Sequence, residues 1–188
     1  MESIGIVGLG YVGLPLAAAF ASVGHRVTGL DLNRDKIAQL EDSGRPDFYE
    51  LGVEETIRRH RDLLHFTSDY SEMMRDCDAV FVTVGTEMRS DGTPNMDSVN
   101  SCRDLLSPHL RKGQLIVLKS TVPTGTTRAF ARDLEATSGL TADEDFFVAY
   151  WPERTIEGHA LHELGMLPKI IGGLGDRSSR MLEPIVRH

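Results

Sequence analysis

The sequence predicts an α/β domain with a doubly wound parallel sheet, and three observations lead to this fold class. Short apolar, β-branched runs alternate along the chain with segments of helical periodicity. Runs such as AVFVTV and LIVL are almost entirely apolar, which is typical of strands buried on both faces of a parallel sheet. No internal repeat or low-complexity linker interrupts the alternation. Right-handed strand–helix–strand crossovers therefore account for most of the chain.

The elements follow in a regular order along the chain. Runs rich in Val, Ile, Leu and Phe predict strands at residues 4–7, 26–30, 64–66, 79–84, 115–119, 146–149 and 169–171. Apolar residues that recur every three or four positions predict helices at residues 14–23, 34–42, 53–61, 96–110, 127–138 and 176–188. The loop GTEMRSDGTPN at residues 85–95 is rich in turn formers and follows a central strand, a position where loops line ligand crevices.

Composition and charge exclude several classes of protein. The 188 residues are long for one average domain and short for two full ones. A hydrophobic content of 40% and a charged content of 26% are ordinary for a soluble globular protein. The net charge of −8 argues against a general binder of nucleic-acid phosphates. Cys77 and Cys102 form neither a disulfide framework nor a metal motif.

The N-terminal apolar stretch gives no indication of export. It is broken by Gly24 and His25 and lacks a basic leader, so we expect neither a signal peptide nor a membrane span, and a cytoplasmic location. His159 and His162 lie three apart on an expected helix, where a solvated face explains them better than metal ligation. We expect no structural metal.

The strongest motif is the glycine-rich stretch IGIVGLGYVGLPLAAAF. Gly8, Gly10 and Gly13 form a GxGxxG pattern between an apolar strand and an apolar helix, where they allow a tight turn, a close approach to a pyrophosphate and tight helix packing. Asp31 ends the next strand, where its carboxylate can accept both ribose hydroxyls and would repel a 2′-phosphate. This favours a Rossmann-type domain that binds NAD rather than NADP, although Arg34 could accommodate that phosphate. The alternative is that the glycines serve only the turn and Asp31 caps the next helix.

A second motif, KSTVPTGTT at residues 119–127, follows the strand LIVL. Its hydroxyl and backbone donors, including Thr121, are expected at the carboxyl edge of the sheet, where a nicotinamide and a substrate would meet. The alternative is a connecting loop in which Thr124 or Thr126 caps the following helix. Both interpretations stay open, because different residues serve them.

A third stretch, AYWPERTIEGHALHEL at residues 149–164, carries two carboxylates, Glu153 and Glu157, with Arg154 beside the first. In a solvated turn these charges would be incidental. In a crevice beside NAD, a carboxylate can hold a water or accept a proton during the oxidation of an alcohol. Composition alone favours the turn and does not decide the matter.

Together these stretches resemble the N-terminal NAD-binding domain of the UDP-glucose/GDP-mannose dehydrogenase family. The family order is kept from one end of the chain to the other, in GIVGLGYVGLPLAAAFA, GHRVTGLDLNRDKI, VTVGT, DGTPNMDSV, KSTVPTGTT and PERTIEGHALHEL. The resemblance implies an NAD-dependent enzyme that oxidises the C6 alcohol of a nucleotide sugar to a carboxylate, with two hydride transfers to two NAD molecules. The reaction would pass through enzyme-bound aldehyde and thioester intermediates.

Carried over onto matching positions, the resemblance implies roles for individual residues. The pyrophosphate would be held by the glycine loop, at Gly8, Gly10, Tyr11, Val12 and Gly13. Asp31 would bind the adenosine ribose, with Lys36 near it, and Thr86 and Thr121 would border the cofactor.

The resemblance also implies the catalytic and substrate-facing residues. Glu157 would lie near the nicotinamide and share the reacting water with Thr121, while Glu153 would face the sugar. The PER form resembles dehydrogenases of UDP-N-acetylmannosamine and UDP-N-acetylglucosamine, whereas the UDP-glucose branch usually has Phe at the third position. Arg154 is therefore the expected discriminator of the acetamido sugar. Glu87 departs from the family, which often has Pro there, and this puts the local loop shape in doubt.

The resemblance covers only part of a family member. Such enzymes are roughly twice as long, with one domain per ~100–200 residues, and their nucleophilic cysteine lies in a downstream GGxC context that neither Cys77 nor Cys102 matches. We therefore expect residues 1–175 to be the NAD-binding domain and residues 176–188 to begin a linking helix. The chain alone would be inactive, and the full-length form would be a homo-oligomer that binds a UDP-sugar.

Other functions stay open at this level. The chain could be a complete NAD-binding sensor or regulatory module without chemistry, or the domain of a UDP-glucose 6-dehydrogenase. A dehydrogenase of the β-hydroxyacid type shares the glycine loop, but the pairing of KSTVPTGTT with PERTIEG argues against it.

Overall fold

A computed structural model describes residues 3–187, which form a sheet with helices on both faces. Within these residues the strands are β1 Ser3–Val7, β2 Arg26–Leu30, β3 Leu64–Thr67, β4 Ala79–Val82, β5 Leu115–Leu118, β6 Phe147–Tyr150 and β7 Gly172–Gly173. The α-helices of the same residues are α1 Gly13–Ser22, α2 Arg34–Ser43, α3 Val53–Arg59, α4 Tyr70–Asp76, α5 Asp97–Leu106, α6 Thr126–Ser138, α7 Ala160–Met166 and α8 Asp176–Val186.

The sheet is doubly wound, as predicted. Its strand order is β3-β2-β1-β4-β5-β6-β7, with β1 to β6 parallel and β7 antiparallel to β6. The chain runs outward from β1 to β3 and then returns to the other side of β1 with β4. The strand order therefore reverses between β1 and β4, and the loops that leave their carboxyl ends diverge into a crevice.

Each face of the sheet has its own apolar core, which explains the uniformly apolar strands. In β4, Ala79 and Phe81 face the cluster formed with α1, α3, α7 and α8. Val80 and Val82 face the opposite cluster, formed with α4, α5 and α6. Since every β4 side chain is buried, substitution on either face removes apolar packing.

One predicted strand is wrong, and one helix was not predicted. Residues 169–171 are not a strand, because the Lys169 ammonium folds back onto the carbonyls of Leu164 and Leu167 at the end of α7. The edge strand is instead β7, which pairs with β6 in antiparallel orientation. Helix α4 was not predicted, although Asp69 caps it by accepting from the N–H groups of Ser71 and Glu72.

The predicted ends of several helices are also corrected. Helix α3 ends at Arg59 and α5 at Leu106, and each is followed by a short 3₁₀ turn. Helix α8 extends to Val186, whereas its predicted last residue, His188, lies outside the described residues.

Helix α8 packs onto the sheet through buried polar contacts as well as apolar ones. The buried Ser178 hydroxyl donates to Asp143 Oδ1 at 2.6 Å and accepts from the Val148 N–H of β6 at 3.2 Å. Leu182 and Ile185 enter the core on the same helix. The division of the chain at residues 175 and 176 stays a prediction. Across residues 3–187, no helix has the length and apolarity to cross a bilayer.

Candidate functional site

A cleft of about 700 Å³ opens at the carboxyl edge of the sheet, where the strand order reverses. It is lined by the glycine loop after β1, the loops after β2, β4 and β5, and one face of α5. The lining includes Gly8, Gly10, Tyr11, Val12, Asp31, Lys36, Thr86, Lys119, Thr121 and Glu153. This is the position at which doubly wound sheets bind ligands.

The glycine loop has the geometry that the sequence predicted. Gly8 has a φ of 92°, in the left-handed region that favours glycine. A Cβ at Gly13 would lie 1.8 Å from the Gly8 carbonyl oxygen, so only glycine fits between the loop and α1. A Cβ at Gly10 would meet nothing within 4 Å and would project into the cleft. The space in front of Gly10 is therefore what a closely approaching phosphate requires.

Asp31 is fixed over this loop and does not cap the next helix. Its Oδ2 accepts from the Leu9 N–H at 2.9 Å and its Oδ1 from the Asn33 N–H at 2.9 Å. Helix α2 is capped by Asn33, whose side chain accepts from the Asp35 and Lys36 N–H groups. A carboxylate has about four lone-pair positions, so Asp31 keeps capacity for two hydroxyl donors.

Lys36 lies next to Asp31; its position near a ribose stays a prediction. Its ammonium donates to the Leu9 carbonyl at 3.2 Å and lies 3.9 Å from Asp31 Oδ2. Asp47 Oδ2 lies 3.4 Å from the same nitrogen. The cation is thus held at the Asp31 end of the cleft by a backbone oxygen and two carboxylates.

The loop after β4 forms the wall opposite the glycine loop. The buried Thr83 hydroxyl lies 2.8 Å from the Val7 carbonyl oxygen and 2.7 Å from that of Gly8, which ties the two strand ends together. Thr86 is half-buried and Glu87 is exposed, and both line the cleft. The Glu87 carbonyl accepts from the Asn95 N–H at 2.9 Å, so the loop closes on itself despite the departure from Pro.

The loop after β5 brings Lys119, Ser120 and Thr121 to the cleft. The Ser120 hydroxyl donates to the Val84 carbonyl at 2.6 Å and joins this loop to the one after β4. The residue that precedes α6 is Gly125, and no side-chain hydrogen bond caps that helix end. The capping role considered for Thr124 or Thr126 is therefore wrong, while Thr121 borders the cleft as predicted.

A buried ion pair stands at the end of the cleft away from Asp31. Lys119 is 1% exposed, and its ammonium lies 2.9 Å from Glu153 Oε2 and 4.2 Å from the centre of the Trp151 ring. Glu153 Oε1 accepts from the N–H groups of Arg154 at 2.6 Å and Thr155 at 2.7 Å. Both carboxylate oxygens therefore have partners, and Glu153 still lines the cleft.

This arrangement favours the ionised form of Glu153. Burial by itself would raise the pKa of Glu153, but the charge and hydrogen bond of Lys119, together with the Thr155 N–H, outweigh it and bring the pKa below its ordinary value. Burial lowers the pKa of Lys119. The negative charge of Glu153 offsets part of this decrease, and the positive charge of Lys169 lowers the pKa further. A carboxylate that stays ionised can accept a hydrogen bond at the cleft wall, whereas its lowered pKa makes it a weak proton acceptor.

Three predicted site residues do not line the cleft: Gly13, which is buried between the glycine loop and α1, and Arg154 and Glu157. Arg154 is exposed, and its Nη1 donates to the Pro168 carbonyl at 3.0 Å, toward the loop after α7. Glu157 is exposed in the turn that precedes α7. The chain therefore brings Glu153 and Thr121 to one cleft with the glycine loop, and leaves Glu157 and Arg154 on the adjoining surface.

Residues that the sequence interpretation did not single out complete the site. Lys119 ends an apolar strand, a position where a buried charge is rarely tolerated without a purpose, and this is the signal that could have identified it. Thr83 and Ser120 join neighbouring loops through backbone oxygens and had no such signal.

The residues present fit a dinucleotide. The open space at Gly10 suits a phosphate, and no side-chain hydrogen bond caps the nearby N-terminus of α1. Asp31 supplies acceptors for ribose hydroxyls beside that loop. The cleft then continues past Thr86 to Thr121 and Glu153, so one ligand can extend from the glycine loop to the buried ion pair.

Several known proteins are similar to the chain over almost its whole length. A Bacillus subtilis protein provisionally named UDP-glucose 6-dehydrogenase YtcA is 37% identical over 186 residues, which cover 97% of this chain and 42% of the relative. UDP-N-acetyl-D-mannosamine dehydrogenase of Pyrococcus horikoshii is 31% identical, with 98% of this chain and 44% of the relative covered. The structure of a ternary complex of GDP-mannose dehydrogenase from Pseudomonas aeruginosa superimposes with a TM-score of 0.93 at 30% identity, covering 100% of this chain and 44% of that one. The chain thus spans less than half the length of these relatives.

The sequence profile described as the UDP-glucose/GDP-mannose dehydrogenase family, NAD binding domain, matches residues 2–188. The glycine loop, Asp31 and the carboxyl-edge cleft agree with that description. The chain therefore belongs to the UDP-glucose/GDP-mannose dehydrogenase family and represents its NAD-binding domain.

Proposed function

We propose that this chain is the NAD-binding domain of a nucleotide-sugar 6-dehydrogenase that oxidises the C6 alcohol of a UDP-N-acetylhexosamine to the uronate with two NAD molecules. The observation that carries the proposal is the placement of an ionised Glu153, paired with the buried Lys119, in the same cleft as the glycine loop and Asp31. A cofactor site and a charged group that can accept a hydrogen bond from an alcohol or a water therefore share one crevice.

The residues of this chain have distinct proposed tasks. The glycine loop holds the pyrophosphate, and Asp31 binds the adenosine ribose with Lys36 beside it. NAD, when bound, supplies the hydride acceptor. Glu153 faces the sugar, where its ionised carboxylate orients the alcohol that is oxidised. Thr121 borders the same end of the cleft and shares the reacting water with Glu157.

We propose that the 188 residues alone do not turn over the substrate. The cysteines of the sequence are Cys77 and Cys102, and both are buried. Burial raises the pKa of Cys77 to about 11 and that of Cys102 to about 12, so neither provides a thiolate at neutral pH. The nucleophile of the thioester stage would then come from outside these residues.

The choice of an acetamido sugar rests on Arg154. The similarity to a UDP-N-acetyl-D-mannosamine dehydrogenase supports it, while the similarity to a protein provisionally named UDP-glucose 6-dehydrogenase favours the second candidate, a UDP-glucose enzyme. Arg154 follows Glu153 and is exposed; its Nη1 donates to the Pro168 carbonyl, so a sugar substituent would be met by the remaining guanidinium N–H groups or after the side chain turns toward the cleft. We further propose a homo-oligomeric full-length enzyme in the cytoplasm.

Calorimetric titration of the chain with NAD and, separately, NADP tests the cofactor site. The wild type is expected to bind NAD more tightly, because the Asp31 carboxylate repels a 2′-phosphate. Asp31→Ala removes hydrogen bonds to a charged group, so NAD affinity should fall by about tenfold to a hundredfold and the preference should disappear. Asp42→Ala, an exposed change at the end of α2, is the matched control and should leave both affinities unchanged.

Equal affinity for NAD and NADP in the wild type would contradict the assignment of Asp31. Binding of NAD without turnover is also expected of a stand-alone sensor module. Addition of a UDP-N-acetylhexosamine to the NAD-loaded chain separates the two, because a dehydrogenase domain should bind the sugar nucleotide more tightly when NAD is present and a pure NAD sensor should not respond.

A further inference from the structure

The connection between α2 and α3, residues 44–52, touches three separate parts of the site; we refer to it as the bridge segment. Asp47 lies 3.4 Å from the Lys36 ammonium at the adenosine end. The Phe48 ring lies 4.4 Å, centre to centre, from the ring of Tyr11 in the glycine loop. Glu50 reaches across to the turn that contains Glu157. One short segment thus connects the cofactor loop to the turn after β6.

Glu50 is the buried carboxylate of this segment, with 5% of its surface exposed. Its Oε2 accepts from the Gly158 N–H at 2.6 Å and its Oε1 from the Ala160 N–H at 2.8 Å. These N–H groups follow Glu157 by one and three positions. The two bonds therefore hold the backbone of the turn from one side, while the Glu157 side chain stays exposed.

Loss of these hydrogen bonds would destabilise both the Glu50 carboxylate and the backbone N–H groups that donate to it. A buried carboxylate needs hydrogen bonds to offset the loss of water, and buried N–H groups left without an acceptor are destabilising. Two other hydrogen bonds of the turn are local: the Ile156 N–H donates to Glu163 Oε2 at 2.8 Å, and the His159 N–H donates to the Ile156 carbonyl at 3.1 Å. The bonds to Glu50 differ from these because they join the turn to a segment more than 100 positions away, on the side of the glycine loop.

We propose that Glu50 is a positioning residue that fixes the turn carrying Glu157 at the nicotinamide end of the cleft. This inference rests on the proposed function, in which Glu157 borders the nicotinamide and the reacting water. Through Phe48 and Tyr11 the same segment contacts the loop that holds the pyrophosphate, so the cofactor loop and the Glu157 turn keep a fixed separation.

Hydrogen–deuterium exchange on the 188-residue chain without ligand tests the positioning directly. Glu50→Ala should accelerate exchange of the amides at residues 157–160 by about tenfold or more, because both acceptors are lost. Glu50→Gln should give an intermediate increase, since the amide oxygen can accept one N–H while its NH₂ group opposes the other. Glu55→Gln, on the exposed face of α3, is the control and should change nothing there. Exchange in the Glu50 variants within twofold of the wild type would overturn the proposal.

A second measurement distinguishes positioning from a general effect on stability. NAD should protect residues 8–13 in the wild type and in both Glu50 variants, whereas protection of residues 157–160 by NAD should be lost in Glu50→Ala and partly restored in Glu50→Gln. Unchanged protection of residues 157–160 in Glu50→Ala would overturn the proposal. If the proposed function is wrong, NAD should give no protection of residues 8–13 in the wild type. The exchange rates measured without ligand then still decide whether Glu50 holds the turn. If Glu50→Ala does not fold, Glu50→Gln carries both readouts.

Discussion

The two ends of the cleft are built in different ways; we call them the adenosine end, at Asp31, and the sugar end, at Glu153, after the proposed function. At the adenosine end, the groups are held by backbone that leaves adjacent parallel strands, and Asp31 bonds to N–H groups of its own and the neighbouring loop. At the sugar end, order depends on side chains that meet from distant parts of the chain, through the pairing of Lys119 with Glu153 and the contact of Glu50 with the turn before α7. The adenosine end is thus fixed mainly by backbone groups and short-range contacts near the strand ends, whereas buried charges from distant parts of the chain fix the sugar end.

The largest effect is expected at the adenosine end. Gly13→Ala places a Cβ 1.8 Å from the Gly8 carbonyl oxygen and 2.5 Å from the Thr83 hydroxyl, so the strand–helix junction cannot close. We expect a loss of more than about 4 kcal/mol in the free energy of unfolding, measured by denaturant titration. A Gly13→Ala chain within 1 kcal/mol of wild type, roughly the median effect of a point mutation, would break the view that backbone geometry fixes this end.

Gly10→Ala tests ligand binding at the glycine loop without disturbing its packing, because the new Cβ would meet no protein atom within 4 Å. The free energy of unfolding should change by less than ~1 kcal/mol. NAD affinity should fall by at least about tenfold, since the new methyl group occupies the space of the pyrophosphate. Calorimetry on a chain with unchanged stability separates binding from folding at this position.

At the sugar end, Lys119→Met should be the most damaging change. It leaves the Glu153 carboxylate buried without its cation, which typically costs about 3–5 kcal/mol. The double variant Lys119→Met/Glu153→Gln should recover at least half of this loss, because a neutral amide oxygen can still accept from the Thr155 N–H. If the two single changes add without coupling in a double-mutant cycle, the ion pair does not hold this end of the cleft together.

The Lys119–Glu153 pair should also make the free energy of unfolding depend on pH, with a smaller effect than the substitutions above. The folded-state pKa of Glu153 lies below its ordinary value of 4.5, so the stabilisation is present above about pH 4.5 and is lost as the pH falls through the folded pKa. The wild type should therefore lose stability more steeply between about pH 5 and pH 3 than Glu153→Gln. Asp143 and other carboxylates with lowered pKa titrate in both proteins and serve as the common background. Parallel curves of unfolding free energy against pH for the wild type and Glu153→Gln would contradict the assignment of a lowered pKa to Glu153.

The cofactor half could be predicted from the sequence because its signals are local. The spacing of the glycines, the apolar strand before them and the acidic residue that ends β2 all lie within one strand–helix–strand unit. The doubly wound sheet followed in the same way from apolar runs buried on both faces. Only the edge was mispredicted, where Lys169 satisfies the carbonyls at the end of α7 instead of joining a strand.

The other half could not be predicted from the sequence, because its contacts join distant positions. Glu50 and Gly158 are 108 positions apart, and nothing near Glu50 in the sequence indicates that its carboxylate is buried. Glu153 was identified through the resemblance, but its partner Lys119 was recognised only when β5 and β6 were placed side by side. Whether Glu157 and Arg154 act as the resemblance implies stays a prediction.

The position of Trp151 has a practical consequence. It is the single tryptophan of the sequence, it is buried, and its ring lies 4.2 Å from the Lys119 ammonium and 6.0 Å, centre to centre, from Phe81. Its fluorescence therefore comes from one indole in one environment, next to the cation that pairs with Glu153. The emission of the unlabelled protein is thus a built-in optical reporter of the charge on Lys119 and of any ligand that arrives beside Glu153.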